Sequence, residues 1–173
     1  MRYIRDNLAV CGFGEIGSPE DFLKHCFQAQ LQCTEYAETW LSQCLEVRSA
    51  FFDDGMQIPK TLFASSREWL GRHWDVGSKI LISCAAGQSR SVTMAIALLS
   101  DKGRMAFVDA AIDVIRHVPD AYPHPYVLAS AAAYSDKPLH LDALQGIYES
   151  LTWRPKFPWS HELLRSAVEQ TYG

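Results

Sequence analysis

No stretch of this chain approaches the ~20 apolar residues that a membrane-spanning helix needs. The opening Met-Arg-Tyr-Ile-Arg-Asp also has no apolar core of the kind a secretory leader carries. No run of lysines and arginines occurs, and 16 cationic against 20 acidic side chains leave a net charge of −4. Nucleic acid and anionic membrane surfaces are therefore not expected as partners. Cys-x-x-Cys is missing, and the five cysteines (Cys11, Cys26, Cys33, Cys44 and Cys84) form an odd set. That count suits a reduced compartment better than a disulfide scaffold or a zinc site. The six histidines show no metal-ligand spacing, so neither a metal nor a cofactor is expected. These absences together predict a soluble cytoplasmic protein.

The chain has 173 residues, 48% of them hydrophobic, enough for one core. Strand-like segments at 7–13, 28–33, 44–52 and 80–82 alternate with helical ones. Ser18-Pro19-Glu20-Asp21 starts a helix running to about Phe27, with Ser as N-cap and Pro in the first turn. Leu62, Phe63, Ser66, Trp69 and Leu70 place an amphipathic helix before Ile80. Helices follow over 92–100, 107–118 and 124–134. The fold class expected is α/β: one domain with a central, mostly parallel sheet flanked by helices.

Residues 80 to 91, Ile-Leu-Ile-Ser-Cys-Ala-Ala-Gly-Gln-Ser-Arg-Ser, carry the chemistry. A β-branched strand ends at Cys84, and an apolar helix begins near Val92. The loop between them therefore sits at a helix N-terminus, where small residues let successive N–H groups turn inward around one anion. A phosphate fits. The same field favours the thiolate of Cys84, a nucleophile at neutral pH. The planar fork of Arg90 can hold two phosphoryl oxygens at once. Candidate binding residues are Ala85, Ala86, Gly87, Gln88, Ser89 and Arg90.

Strand, cysteine, glycine-containing loop, arginine, hydroxyl residue and apolar helix, in that order, resemble the signature loop of the protein tyrosine phosphatase superfamily. Ser-Arg-Ser before an apolar helix looks most like its dual-specificity branch. The resemblance covers roughly residues 7 to 136, including the helix-loop-helix around 111–128. It implies a dual-specificity phosphatase-like catalytic domain over 1–137 and gives Ser91 the role of assisting departure of the cysteine sulfur. One position departs from the family: Ser83 stands where a histidine usually precedes the cysteine. The resemblance also makes Cys33 comparable to a cysteine that some members use to trap an oxidised nucleophile, with an unreactive buried thiol as the alternative.

Expelling an alkoxide or phenoxide needs a carboxylic acid. Phe51-Phe-Asp-Asp-Gly55 resembles the family's acid-bearing loop, and Asp54 is the candidate, thirty residues before Cys84. That separation fits a right-handed βαβ unit. Asp53 is the alternative, and an ordinary Asp-Asp-Gly turn is the plainer reading.

Gly12-Phe-Gly14-Glu-Ile-Gly17 spells a dinucleotide fingerprint, but Glu20 and Asp21 put negative charge where a pyrophosphate would sit. Glycines serving a loop explain it better. Residues 138–173 fall outside the resemblance: a helix over 139–150, an extended aromatic linker over 153–159, and a last helix capped by Ser160, with Trp159 placed to staple against Leu164. Packing of this helical extension on the domain is expected, with a partner contact as the alternative. The function expected is cysteine-dependent phosphomonoester hydrolysis, on a phosphorylated protein (phosphotyrosine first, phosphoserine or phosphothreonine next) or a small phosphomonoester. Two alternatives stay open: a weakly active or inactive phosphopeptide-binding module of the same fold, and a phosphatase acting on a phosphoinositide.

Overall fold

A computed structural model describes residues 1–151 and 158–172. Five strands form one sheet: β1 (Arg2–Arg5), β2 (Leu8–Gly12), β3 (Ala29–Gln32), β4 (Glu46–Ser49) and β5 (Ile80–Cys84), in the order β1-β2-β5-β3-β4. Only β1 runs antiparallel, to β2; the other pairs are parallel. The expected α/β architecture is therefore present. β5 is central and buried along its whole length, as a continuous apolar run in a covered parallel sheet should be.

Seven α-helices complete the described chain: α1 (Pro19–Leu23), α2 (Lys60–Asp75), α3 (Arg90–Lys102), α4 (Phe107–His117), α5 (Pro125–Tyr134), α6 (Leu141–Glu149) and α7 (His161–Tyr172). Side-chain alternation sends Val10, Leu31 and Ile82 to one face of the sheet, where residues of α2 to α7 join them in the main core. Ala9, Cys11 and Leu81 face the other way, onto Phe22 of α1 and Leu41. α3 lies deepest, buried from Arg90 to Ser100. This explains why its sequence reads as apolar all round.

The clearest differences from expectation are three. The first helix stops at Leu23 rather than near Phe27, because Cys26 turns to φ 55° and Phe27 swings back under Phe22. The third strand is confined to Glu46–Ser49, within the 44–52 expected. β1 was not expected at all: Arg-Tyr-Ile-Arg is short, and only Ile4 is buried, so no period-two signal stands out.

In the extension, Leu144, Ile147 and Leu164 are buried in the main core. The Leu163 N–H donates to Ser160 Oγ at 3.2 Å, the cap expected there. Most of the aromatic linker over 153–159 lies outside the described residues. Trp159 is described, and it packs on the main core among the partly buried side chains.

Candidate active site

Cys84 is the last residue of β5, at the carboxyl end of the parallel strands, where α/β sheets place their ligand crevices. The loop that follows curls back on itself. The Gly87 N–H donates to Cys84 Sγ at 3.1 Å, and Ser91 Oγ lies 3.2 Å from the same sulfur. Two protein groups thus already address the sulfur.

The tightness of this loop rests on two glycines. A Cβ on Gly87, which holds φ +75°, would stand 2.4 Å from Gly12 N and 2.5 Å from Cys11 C. A Cβ on Gly12 would stand 2.9 Å from the Ala86 carbonyl carbon and oxygen. The end of β2 and the loop therefore touch backbone to backbone, joined also by Phe13 N–H donating to Ala85 O at 3.1 Å. Gly12 of the Gly-x-Gly-x-x-Gly string serves this contact. A short 3₁₀ turn and then the five-residue α1 follow it.

Arg90 opens α3 and is only 8% exposed. Its Nη1 donates to the Phe52 carbonyl at 3.1 Å, tying the signature loop to the Asp-Asp-Gly loop. Its Nε is buried and has no hydrogen-bond acceptor among the described residues. An unpaired, charge-assisted donor shielded from water is costly, and an anion's oxygen would satisfy it.

Asp54 comes to the same place. Ser89 Oγ donates to Asp54 Oδ1 at 2.5 Å and accepts from the His124 N–H at 2.9 Å. A cavity of about 220 Å³ is lined by Asp54, Cys84, Ala85, Ala86, Gln88, Ser89 and Arg90, together with Tyr122, His124 and Trp159. Asp53 does not line it. Larger cavities lie beside α2 and α3, with no cysteine in their walls. Of the residues expected at the site, Gly87 and Ser91 reach the sulfur without lining the cavity, and the rest line it.

Ser83 turns away from Cys84, toward the α1 face. Its hydroxyl accepts from Gln30 Nε2 at 2.8 Å, in a pair buried inside the sheet. Cys33 follows β3 beside Cys84, its N–H donating to the Ser83 carbonyl at 2.7 Å. Burial pushes the Cys33 thiol well above its ordinary range, with the nearby Cys84 adding to this and Arg90 opposing it. Among the described residues, no cluster of His, Cys, Asp or Glu could hold a metal ion, and no helix is long and apolar enough to cross a membrane.

Sequence reasoning missed four residues. Arg2 braces the loop from behind, with Nη2 donating to the Gly87 carbonyl at 3.1 Å and Nη1 to Asp120 Oδ2 at 3.2 Å. Tyr122 holds the Gln88 carbonyl through its own N–H at 2.8 Å. His124 caps α5 and lies half-buried near Asp54. Burial lowers its pKa against the opposing pull of that carboxylate, which favours a neutral imidazole. Trp159 stacks on Tyr122, with centroids 4.8 Å apart and 2° between planes. The His-Pro-Tyr cap was a legible helix start, but no local signal marked the other three.

No family model matches the sequence, and no curated protein matches it. Solved structures do. Human DUSP28 superposes with a TM-score of 0.70 at 16% identity, covering 84% of this chain and 99% of that one. The human tyrosine phosphatase-like serine/threonine/tyrosine-interacting protein gives 0.65 at 18%, covering 79% and 93%. PTPMT1 in complex with PI(5)P gives 0.65 at 14%, covering 77% and 92%. The chain thus has the fold of the protein tyrosine phosphatase superfamily, in its dual-specificity form.

Proposed function

We propose that this chain is a cysteine-dependent phosphomonoester hydrolase of the dual-specificity phosphatase type, acting on phosphorylated proteins with phosphotyrosine foremost. The observation that carries the reading is the convergence of Cys84, Arg90 and Asp54 on one cavity, with the sulfur already hydrogen-bonded by Gly87 and Ser91.

In the first step the Cys84 thiolate attacks phosphorus while the ester P–O bond breaks. Asp54, protonated, gives its proton to the departing oxygen. Loop amides and the Arg90 guanidinium hold the equatorial oxygens, where charge is spread in the transition state. In the second step Asp54, now a carboxylate, takes a proton from water as that water attacks the phosphocysteine. The P–S bond breaks, and the Ser91 hydroxyl hydrogen-bonds the leaving thiolate. Asp54 is preferred to Asp53 because it lines the cavity and is held there by Ser89.

Phosphoinositides are the less favoured substrates. PTPMT1 was solved with PI(5)P, but here Arg90 is the one cationic side chain among the described residues that line the cavity, and a headgroup carrying a second phosphate calls for more. A phosphopeptide-binding module without turnover is the second reading, favoured by Ser83 in place of the family's histidine and by a fold neighbour described as phosphatase-like and interacting. Hydrolysis of an aryl phosphate without added metal, abolished by Cys84→Ser, is the expected result. Phosphopeptide binding with no turnover at any pH would support the module instead.

A further inference from the structure

The cavity has a wall that the 1–137 segment does not supply. Trp159, from the chain after α6, lines it next to Tyr122 and His124. Its indole lies parallel to the Tyr122 ring at 4.8 Å and meets the His124 ring edge-on at 4.7 Å. The indole Nε1 donates to the Pro123 carbonyl at 3.3 Å, and Tyr148 of α6 donates to the same carbonyl at 2.7 Å. The loop between α4 and α5 is therefore fastened from the extension at the two residues preceding the His124 cap. That loop also holds the signature loop, through the Tyr122 N–H on Gln88 O.

We infer that Trp159 is a specificity-determining residue: with Tyr122 it forms a rigid aromatic wall that receives the ring of an aryl phosphate. This deepens the proposed phosphatase function and rests on it. Flat rings held in place by stacking and hydrogen bonds lose little freedom on binding another ring, so they reward an aromatic leaving group specifically. An aliphatic phosphomonoester meets the same phosphate cradle but presents no ring to the wall. Among the described residues the remainder of the lining is small or uncharged apart from Arg90 and Asp54, so the aromatic wall is the feature there that distinguishes one phosphomonoester from another.

The test compares kcat/KM for a phosphotyrosine peptide and for the same peptide carrying phosphoserine, in the full chain and in Trp159→Leu and Trp159→Phe. Trp159→Leu keeps apolar bulk but removes the aromatic face. It should lower the phosphotyrosine-to-phosphoserine ratio by about tenfold, the size of one aromatic contact, mostly through KM. Trp159→Phe should recover most of the ratio. Melting curves of both variants separate loss of the wall from loss of the fold. A ratio unchanged within about twofold in a folded Trp159→Leu protein, or an equal loss on both peptides, overturns the inference while leaving the phosphatase reading intact. If the wild-type chain turns over neither peptide and Cys84→Ser binds neither, the phosphatase reading itself fails, and the wall with it.

Discussion

Replacing Gly87 by alanine puts the signature loop under a load that can be worked from distances. The new Cβ would meet Arg2 Nη2 at 2.2 Å, Gly12 N at 2.4 Å and Cys11 C at 2.5 Å. The arginine side chain can swing aside. The β2 backbone cannot, because Cys11 and Gly12 are paired in register with Ser83 and Cys84 of the central strand. Restoring an ordinary carbon contact requires the loop to retreat by about 1 Å. That retreat lengthens the Gly87 N–H contact to Cys84 Sγ, now 3.1 Å. Left-handed backbone costs a non-glycine residue about 1–2 kcal/mol, and overpacking adds about 1–3 kcal/mol. At about 2–4 °C per kcal/mol for a chain of this size, the melting temperature should fall by roughly 4–20 °C. A displacement of about 1 Å at the reacting group should lower kcat/KM by about 100-fold. Gly14→Ala is the control, since a Cβ there meets nothing within 4 Å. Calorimetry and aryl phosphate kinetics on both variants decide the matter. If Gly87→Ala melts within about 2 °C of wild type and keeps kcat/KM within about threefold, the backbone-to-backbone seating of the loop is wrong.

Asp54→Ala should slow substrates with poor leaving groups by about 100-fold or more and barely affect those with good ones; if Asp53→Ala does so instead, the acid is misassigned. Arg2→Ala removes the brace on the Gly87 carbonyl and should lower stability by about 1–3 kcal/mol and raise the inhibition constant for vanadate, read by melting and competition. Burial pushes the Cys11 thiol up from 9.0 to about 12. Its contribution to stability is thus complete below pH 9 and is lost as pH rises from 9 toward 12. Denaturant melts should show wild type losing about 1.4 kcal/mol more per pH unit than Cys11→Ala in that range, and equal slopes would refute the burial effect.

The parts legible in the sequence were those whose signals are local. Ile80 to Ile82 announced a buried central strand, and the string from Cys84 to Ser91 carried its own order of strand, loop and helix. Asp54 could be favoured by position, with Asp53 left open, and what separates the two is the bond of Asp54 to Ser89 and its place in the cavity wall. Non-local placements stayed hidden. Arg2 reaches Gly87 across the width of β2, on an edge strand too short and too charged to show alternation. Trp159 looked like a helix staple, and its place in the cavity wall depends on where the α4–α5 loop runs. The fingerprint-like glycines show the reverse case: Gly12 is constrained by a loop about seventy residues away that no local pattern could reveal.

In the proposed mechanism phosphorus is attacked at one sulfur, Cys84 Sγ, which the Gly87 N–H and the Ser91 hydroxyl already address. A crystal structure of the protein soaked in vanadate tests it most directly. Vanadium bonded to Cys84 Sγ, with its oxygens on the amides of residues 85–90 and on Arg90, is the predicted result. Vanadate bound elsewhere, or Arg90 turned outward with the loop amides facing away from the sulfur, would contradict it.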